Sequence, residues 1–330
     1  MTLASRFPEL DATYAGLLDA AAAGPGQSNA AAAGPGQSNA AAAGPGQSNA
    51  ARSSGAPPIL GLPPEAMRGR VRAGDALCAP GPEMLKEDDV KLGPVTVRRY
   101  VPRRPRATDR VLVWFHGGGW VTGDLGYSAQ FCRMLADGAG CEVCNVDYRL
   151  APEHPFPAAV EDALAAARWA ASGGREVVVG GDSAGGNLAA VAARELPGCA
   201  GQLLVYPVLD TDRSRPSYLA YDGLVLGVAE MGWFFDQYLP REQDRVSARA
   251  APLRAPGLDG LPPAIVAVAG HDPLRDEGVA YASRLCDGGV RVTLLEFPSL
   301  PHGFLRFTGP VAAAAEAAGR IVATAAGELF

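Results

Sequence analysis

An α/β fold, with a mostly parallel sheet covered on both faces by helices, is predicted by three features of the sequence. Strand-length runs such as Val111-Leu112-Val113-Trp114-Phe115 and Pro263–Gly270 are apolar throughout and do not alternate with polar residues, as expected of strands buried on both faces. Alanine-rich stretches of helical length, Ala158–Ala171 and Asn187–Glu195, lie between such runs. The chain has 330 residues, 48% of them hydrophobic, which is enough for one large core.

Phe7, Leu10, Tyr14, Leu17 and Leu18 recur at helical spacing, with Pro8 suited to a first turn, so the chain is predicted to open with a helix. Ala-Ala-Ala-Ala-Gly-Pro-Gly-Gln-Ser-Asn then occurs three times in tandem, at residues 20–29, 30–39 and 40–49. It holds nothing larger than Gln to bury, Gly-Pro-Gly breaks helices, and four alanines are too few to nucleate one. The repeat is therefore predicted to be a flexible linker or insertion. Pro63–Val71 begins a second, more weakly patterned helix.

Val111–Phe115 is the first buried strand, and a further strand-like run ends at Asp147. That run holds Cys141 and Cys144, nominally C-x-x-C, but residues three apart on a strand face opposite ways, so no redox pair or metal half-site is expected. Strands at Val177–Val179 and Leu203–Val205 flank the helix from Asn187. Tyr218–Leu239 then carries Tyr221, Leu224, Leu226, Met231, Trp233, Phe234, Phe235 and Tyr238, a density that reads as core. Pro263–Gly270 and Val292–Phe297 supply the last strands.

The chemistry concentrates at strand ends. Gly181-Asp182-Ser183-Ala184-Gly185 follows the Val177–Val179 strand and runs into a helix, the signature of a tight turn that lifts a serine hydroxyl clear of the backbone. Three glycines in His116-Gly117-Gly118-Gly119-Trp120 follow the Val111–Phe115 strand, and there main-chain N–H groups can approach a substrate oxygen. Neither a phosphate loop nor a dinucleotide-binding glycine pattern is present. The chain has four histidines, of which His271 and His302 follow Ser183. Asp272 lies just past the Pro263–Gly270 strand and His302 in the stretch Pro298–Phe304, giving the order serine, acid, histidine. His271 precedes that acid and reads as a loop residue.

Composition narrows the partners. A net charge of −6 and a pI near 5.3 argue against nucleic acid and anionic membranes. No apolar run approaches the roughly 18 residues of a membrane span, and Met1–Asp11 is charged where a secretory signal would be apolar, so a cytoplasmic location is expected. Six scattered cysteines suggest no disulfide framework, and the histidines leave no metal site.

Taken together, these motifs resemble the hormone-sensitive-lipase family of carboxylesterases, in its bacterial branch. The matching residues are His116–Trp120, Asp147-Tyr148-Arg149-Leu150-Ala151-Pro152-Glu153-His154-Pro155, Gly181–Asn187, Tyr206-Pro207, Asp272–Gly278 and Pro301-His302-Gly303-Phe304. The similarity runs from about residue 90 to the C-terminus. The resemblance implies an α/β-hydrolase fold with a helical cap, Ser183 as nucleophile, His302 as base and Asp272 as acid. It also implies backbone oxyanion donors at Gly118, Gly119 and Ala184, with Gly117 shaping the turn, and substrate contacts from Trp120, Trp233, Phe234 and Phe304. The implied activity is hydrolysis of short- to medium-chain acyl esters without a cofactor; an amidase, lactonase or acyltransferase on the same triad, or a non-catalytic small-molecule receptor, are the alternatives. The implied partner is a small-molecule ester, with no nucleic acid or stable membrane association; a homodimer is compatible. Residues 1–80 would hold N-terminal cap helices with a low-complexity linker at 20–53, 81–210 and 256–330 the catalytic core, and 211–255 the cap insertion. The chain departs from the family in its short connection Ala170–Glu176, which is expected to matter little, and in the tandem repeat.

Overall fold

The structure is a computed structural model that describes residues 3–23, 62–106 and 108–330. Its centre is an eight-stranded sheet among these residues, in the order β1-β2-β4-β3-β5-β6-β7-β8. The strands are β1 Lys86–Leu92, β2 Val95–Val101, β3 Arg110–Phe115, β4 Glu142–Asp147, β5 Glu176–Asp182, β6 Gly201–Val205, β7 Ala264–His271 and β8 Val292–Pro301. β1 and β2 form an antiparallel hairpin, β2 joins β4 antiparallel, and every other pairing is parallel.

The helices are α1 Leu3–Arg6, α2 Ala12–Ala23, α3 Pro64–Ala73, α4 Ala129–Ala139, α5 Ala158–Ala171, α6 Ala184–Glu195, α7 Pro216–Ala220, α8 Val228–Tyr238, α9 Arg275–Asp287 and α10 Ala312–Glu328. Two apolar clusters cover the sheet, one with α5, α6 and α9 and the other with α4 and α10. The wholly apolar strands of the sequence are buried because both of their faces meet helices. Cys144 belongs to the first cluster and Cys141 to the second, so the C-x-x-C pair straddles the sheet. None of the six cysteines is in a disulfide.

The N-terminal helix differs from the periodic reading. Phe7 and Leu10 precede α2 rather than forming part of it, and Pro8 sits in the turn between α1 and α2. The Asp11 carboxylate starts α2 by accepting the N–H groups of Thr13 and Tyr14, both at 3.0 Å, as an N-cap does. Once nucleated there, the helix propagates into the first alanine run as far as Ala23. The rest of the tandem repeat, and residues 24–61 as a whole, lie outside the described residues. Leu3, Phe7, Leu10 and Ala15 pack on Leu224, so α1 and α2 rest on the segment that follows α7.

The aromatic segment forms α7 and α8 with an irregular stretch between them. Tyr218, Met231, Phe234, Phe235 and Tyr238 join the apolar cluster beneath, whereas Trp233 is only partly buried. β8 runs to Pro301, beyond the Phe297 end read from the sequence, with an irregular register between Ala269 and His271 on its neighbour. β8 is an edge strand, where proline costs no ladder bond if its nitrogen faces outward.

Candidate active site

The strands of the parallel sheet deliver four segments to one end. Phe115 pairs with Gly181, so the glycine loop after β3 starts beside the turn after β5. Asp272 and His302 are the first residues after the neighbouring strands β7 and β8. Clefts at the carboxyl ends of parallel strands are where α/β sheets bind ligands.

Ser183 has φ 54° and ψ −117°, a conformation that costs a non-glycine residue about 1–3 kcal/mol. The surrounding residues leave no other path. A Cβ at Gly185 would overlap the Phe115 carbonyl, and one at Gly181 would overlap the Gly185 backbone. Asn187 fixes the turn by donating its side-chain amide to Val208 O at 3.0 Å and Ala250 O at 2.9 Å. Ser183 thus stands at the N-terminus of α6, whose dipole favours negative charge.

Ser183 Oγ lies 3.0 Å from His302 Nε2, and His302 Nδ1 lies 2.8 Å from Asp272 Oδ2. The other Asp272 oxygen accepts Leu274 N–H at 2.8 Å. Asp272 is fully buried, while Ser183 and His302 each keep 8% of their surface. With Nδ1 donating to the carboxylate, Nε2 is left as the acceptor for the serine hydroxyl. The arrangement can take a proton from Ser183 and hold it on an oriented imidazole.

Gly118 and Gly119 have φ of 110° and 61°, in the region that only glycine enters without strain. Thr122 closes the loop, donating N–H and Oγ1–H to Gly118 O, both at 2.9 Å. The N–H groups of Gly118, Gly119 and Ala184 have no acceptor among the described residues. Gly117 is different, because its N–H donates to Asp182 Oδ1 at 3.0 Å. A Cβ at Gly119 would strike the Phe234 ring, so α8 presses directly on this loop.

His116 stacks on Tyr148 at 4.3 Å, and burial pushes its imidazole down to about 4. It stays neutral in the loop wall. His154 is exposed, and His271 packs between Phe7 and Tyr221. Asp276 accepts Ser217 N–H at 2.9 Å, holding α7 to the first turn of α9. Of the residues expected to contact substrate, two need correction. Trp120 is fully buried and stacks on Tyr238 at 4.4 Å, and Phe304 is fully buried between Tyr206 and Phe297. Both brace the site from within the core, because neither exposes surface to a substrate. Phe234 and Trp233 lie on α8, their rings 5.3 Å apart. Among the described residues, no cluster of His, Cys, Asp and Glu could hold a metal ion.

Asp182 is a positioning group that the sequence reading missed. Its carboxyl is buried, with Tyr127 and Arg306 beside it, and burial raises it from 3.8 to about 6. The folded state therefore binds this proton more tightly than the unfolded chain, and wild-type stability falls as pH rises through that window. Asp182→Asn keeps an acceptor for Gly117 N–H and removes the charge. Its melting temperature should gain on wild type as pH rises from about 4 to 7. Asp182→Ala removes the acceptor as well, and its turnover should fall about tenfold or more. Thermal melts across pH together with steady-state kinetics read both outcomes; a fall in the Asn variant as large as in the Ala variant would contradict the hydrogen-bonding role.

A family model described as alpha/beta hydrolase fold matches residues 112–306. Esterase LipI of Mycobacterium tuberculosis is 43% identical over 278 residues, covering 78% of this chain and 86% of that protein. An ethyl acetate hydrolase of Pseudomonas putida is 38% identical over 226 residues, covering 64% of this chain and 71% of that one. Among solved structures, an ester hydrolase from the metagenome of Lake Arreo is similar with a TM-score of 0.77 and 37% identity, over 82% of this chain and 92% of that chain.

Proposed function

The chain belongs to the hormone-sensitive-lipase family of α/β-hydrolase-fold carboxylesterases, and from that premise we propose that it hydrolyses short- to medium-chain acyl esters at Ser183. The observation that carries the residue assignment is the unbroken relay from Asp272 through His302 to Ser183, at 2.8 and 3.0 Å, beside three unengaged backbone N–H groups.

His302 Nε2 takes the Ser183 proton as Oγ attacks the ester carbonyl. The carbonyl oxygen becomes an oxyanion, and the N–H groups of Gly118, Gly119 and Ala184 are placed to receive it. His302 passes its proton to the departing alkoxide, leaving an acyl-enzyme. Water then attacks that ester with His302 again as base, and Ser183 leaves with the proton restored. Asp272 holds the imidazole in the required tautomer and stabilises its charged form. In this reading the described helices of residues 1–80, outside the low-complexity linker at 20–53, and residues 211–255 form the cap, and 81–210 with 256–330 the catalytic core. Among the described residues no helix is long and apolar enough to cross a membrane. Six unpaired cysteines support a reducing, cytoplasmic setting, and a homodimer is compatible with the chain.

The acyl range rests on the family membership, and the residues over the oxyanion loop support a bounded pocket. Phe234 lies against Gly119, so a bulky ring bounds the space beside the oxyanion loop. The similarity to an ethyl acetate hydrolase supports the same range. With nitrophenyl esters of increasing length, butyrate and hexanoate should exceed palmitate in kcat/KM by about tenfold or more. The matching anilide should react far more slowly. A preference for palmitate or for emulsified triglyceride would overturn the assignment of acyl range, and faster anilide cleavage would overturn the ester specificity.

A further inference from the structure

We propose that Arg68, on the cap helix α3, is a positioning residue for the oxyanion loop, tying it through two main-chain carbonyls to the loop after β4. This rests on the esterase reading and adds a residue to it that the family motifs do not contain.

Arg68 Nε donates to Val121 O at 2.9 Å, and Nη2 donates to Ala151 O at 3.1 Å. Val121 ends the turn that Gly118 begins, since its own N–H donates to Gly118 O at 3.2 Å. Ala151 N–H in turn donates to Trp120 O at 2.8 Å. Arg68, Val121, Trp120 and Ala151 therefore form a closed circuit around the loop that carries the Gly118 and Gly119 N–H groups. Val121 and Ala151 are fully buried residues, so removing the guanidinium leaves two carbonyls short of donors where little water can replace them.

The remaining guanidinium donors meet Glu153 at 2.9 and 2.6 Å. That pair faces solvent, with the Glu153 side chain 54% exposed against 14% for Arg68, and it orients the fork more than it holds the loop. Arg68 hydrogen bonding keeps the Glu153 carboxyl down at about 2. α3 itself is anchored by buried Met67 and by Arg306, which donates to Val71 O at 2.8 Å. The guanidinium is thus presented from a fixed helix. Its planar fork reaches two carbonyls at once, which a lysine ammonium on a single stem cannot reproduce.

Wild type, Arg68→Met, Arg68→Lys and Glu153→Gln would be compared on nitrophenyl butyrate, with active sites counted by organophosphate titration. Affinity for a trifluoromethyl ketone, which forms an oxyanion on the serine, supplies a second readout. For Arg68→Met, kcat per titrated site should fall about 10- to 100-fold while KM stays within about threefold. Ketone affinity should fall in parallel with kcat. Arg68→Lys should lie between Arg68→Met and wild type, and Glu153→Gln should stay within about threefold of wild type. Wild-type turnover alone decides the esterase reading, and the ratios between variants decide this one. The proposal is overturned if Arg68→Met keeps both per-site kcat and ketone affinity, if its loss appears only as fewer titratable sites, or if Glu153→Gln falls as far. Should Arg68→Met fail to fold, Arg68→Lys carries the same test, with unchanged kcat and ketone affinity overturning it.

Discussion

Ser183→Ala is expected to fold like wild type and to lose ester turnover by about five to six orders of magnitude. Alanine accepts the same backbone strain as serine, and the turn is held by Gly181, Gly185 and the Asn187 amide, none of which the substitution touches. Among the described residues, the hydrogen bond removed is the one from Oγ to His302 Nε2. The loss should appear in kcat, since the acyl-enzyme can no longer form, while matching circular dichroism and melting temperature exclude unfolding. Retention of even a hundredth of wild-type turnover would mean that another group attacks the ester.

Asp272→Asn carries the second large effect. An amide at this position no longer demands a donor from His302 Nδ1, so the tautomer with Nε2 protonated becomes favoured and the serine proton has no acceptor. Turnover should fall by about four orders of magnitude. Asp276→Asn is the control, because that carboxylate holds Ser217 N–H rather than the histidine. It should keep turnover within about tenfold of wild type, its cost limited to looser docking of α7. Steady-state kinetics on both variants rank the two acids. The opposite ranking would move the acid role four residues on, from the loop after β7 into the first turn of α9, and contradict the His302–Asp272 hydrogen bond.

What the sequence made legible was the set of positions where sterics allow one residue type. Gly181 and Gly185 flank a turn that admits no Cβ, and the loop at Gly118 and Gly119 demands positive φ. Such constraints are local, so they show as short motifs, and the apolar strands that carry them show as unbroken runs. Contacts closed by the fold leave no comparable trace. Asp182 bonds to Gly117, 65 positions upstream, only because β3 and β5 are neighbours in register. Arg68 meets the loop after β3 at Val121 O, from a weakly patterned helix that follows the tandem repeat.

Two boundaries were misread for related reasons. Phe7 and Leu10 share the spacing of a helical face, but here a turn folds them onto Leu224. Pro298 and Pro301 look like strand breakers, yet the sheet edge tolerates them. Sequence does not separate the aromatic residues, because an aromatic side chain that braces a site and one that lines it have the same composition. Trp120 stacked on Tyr238 and Phe304 behind Tyr206 proved to brace it.

The central claim is that one serine, activated by His302, carries the hydrolysis, and its most direct test is stoichiometric labelling with a nitrophenyl phosphonate followed by peptide mass mapping. One adduct per chain should form, on Ser183, and residual ester turnover should fall in proportion to the labelled fraction. Ser183→Ala should take up no label under the same conditions. An adduct on another residue, or a fully labelled enzyme that still hydrolyses butyrate esters, would contradict the account.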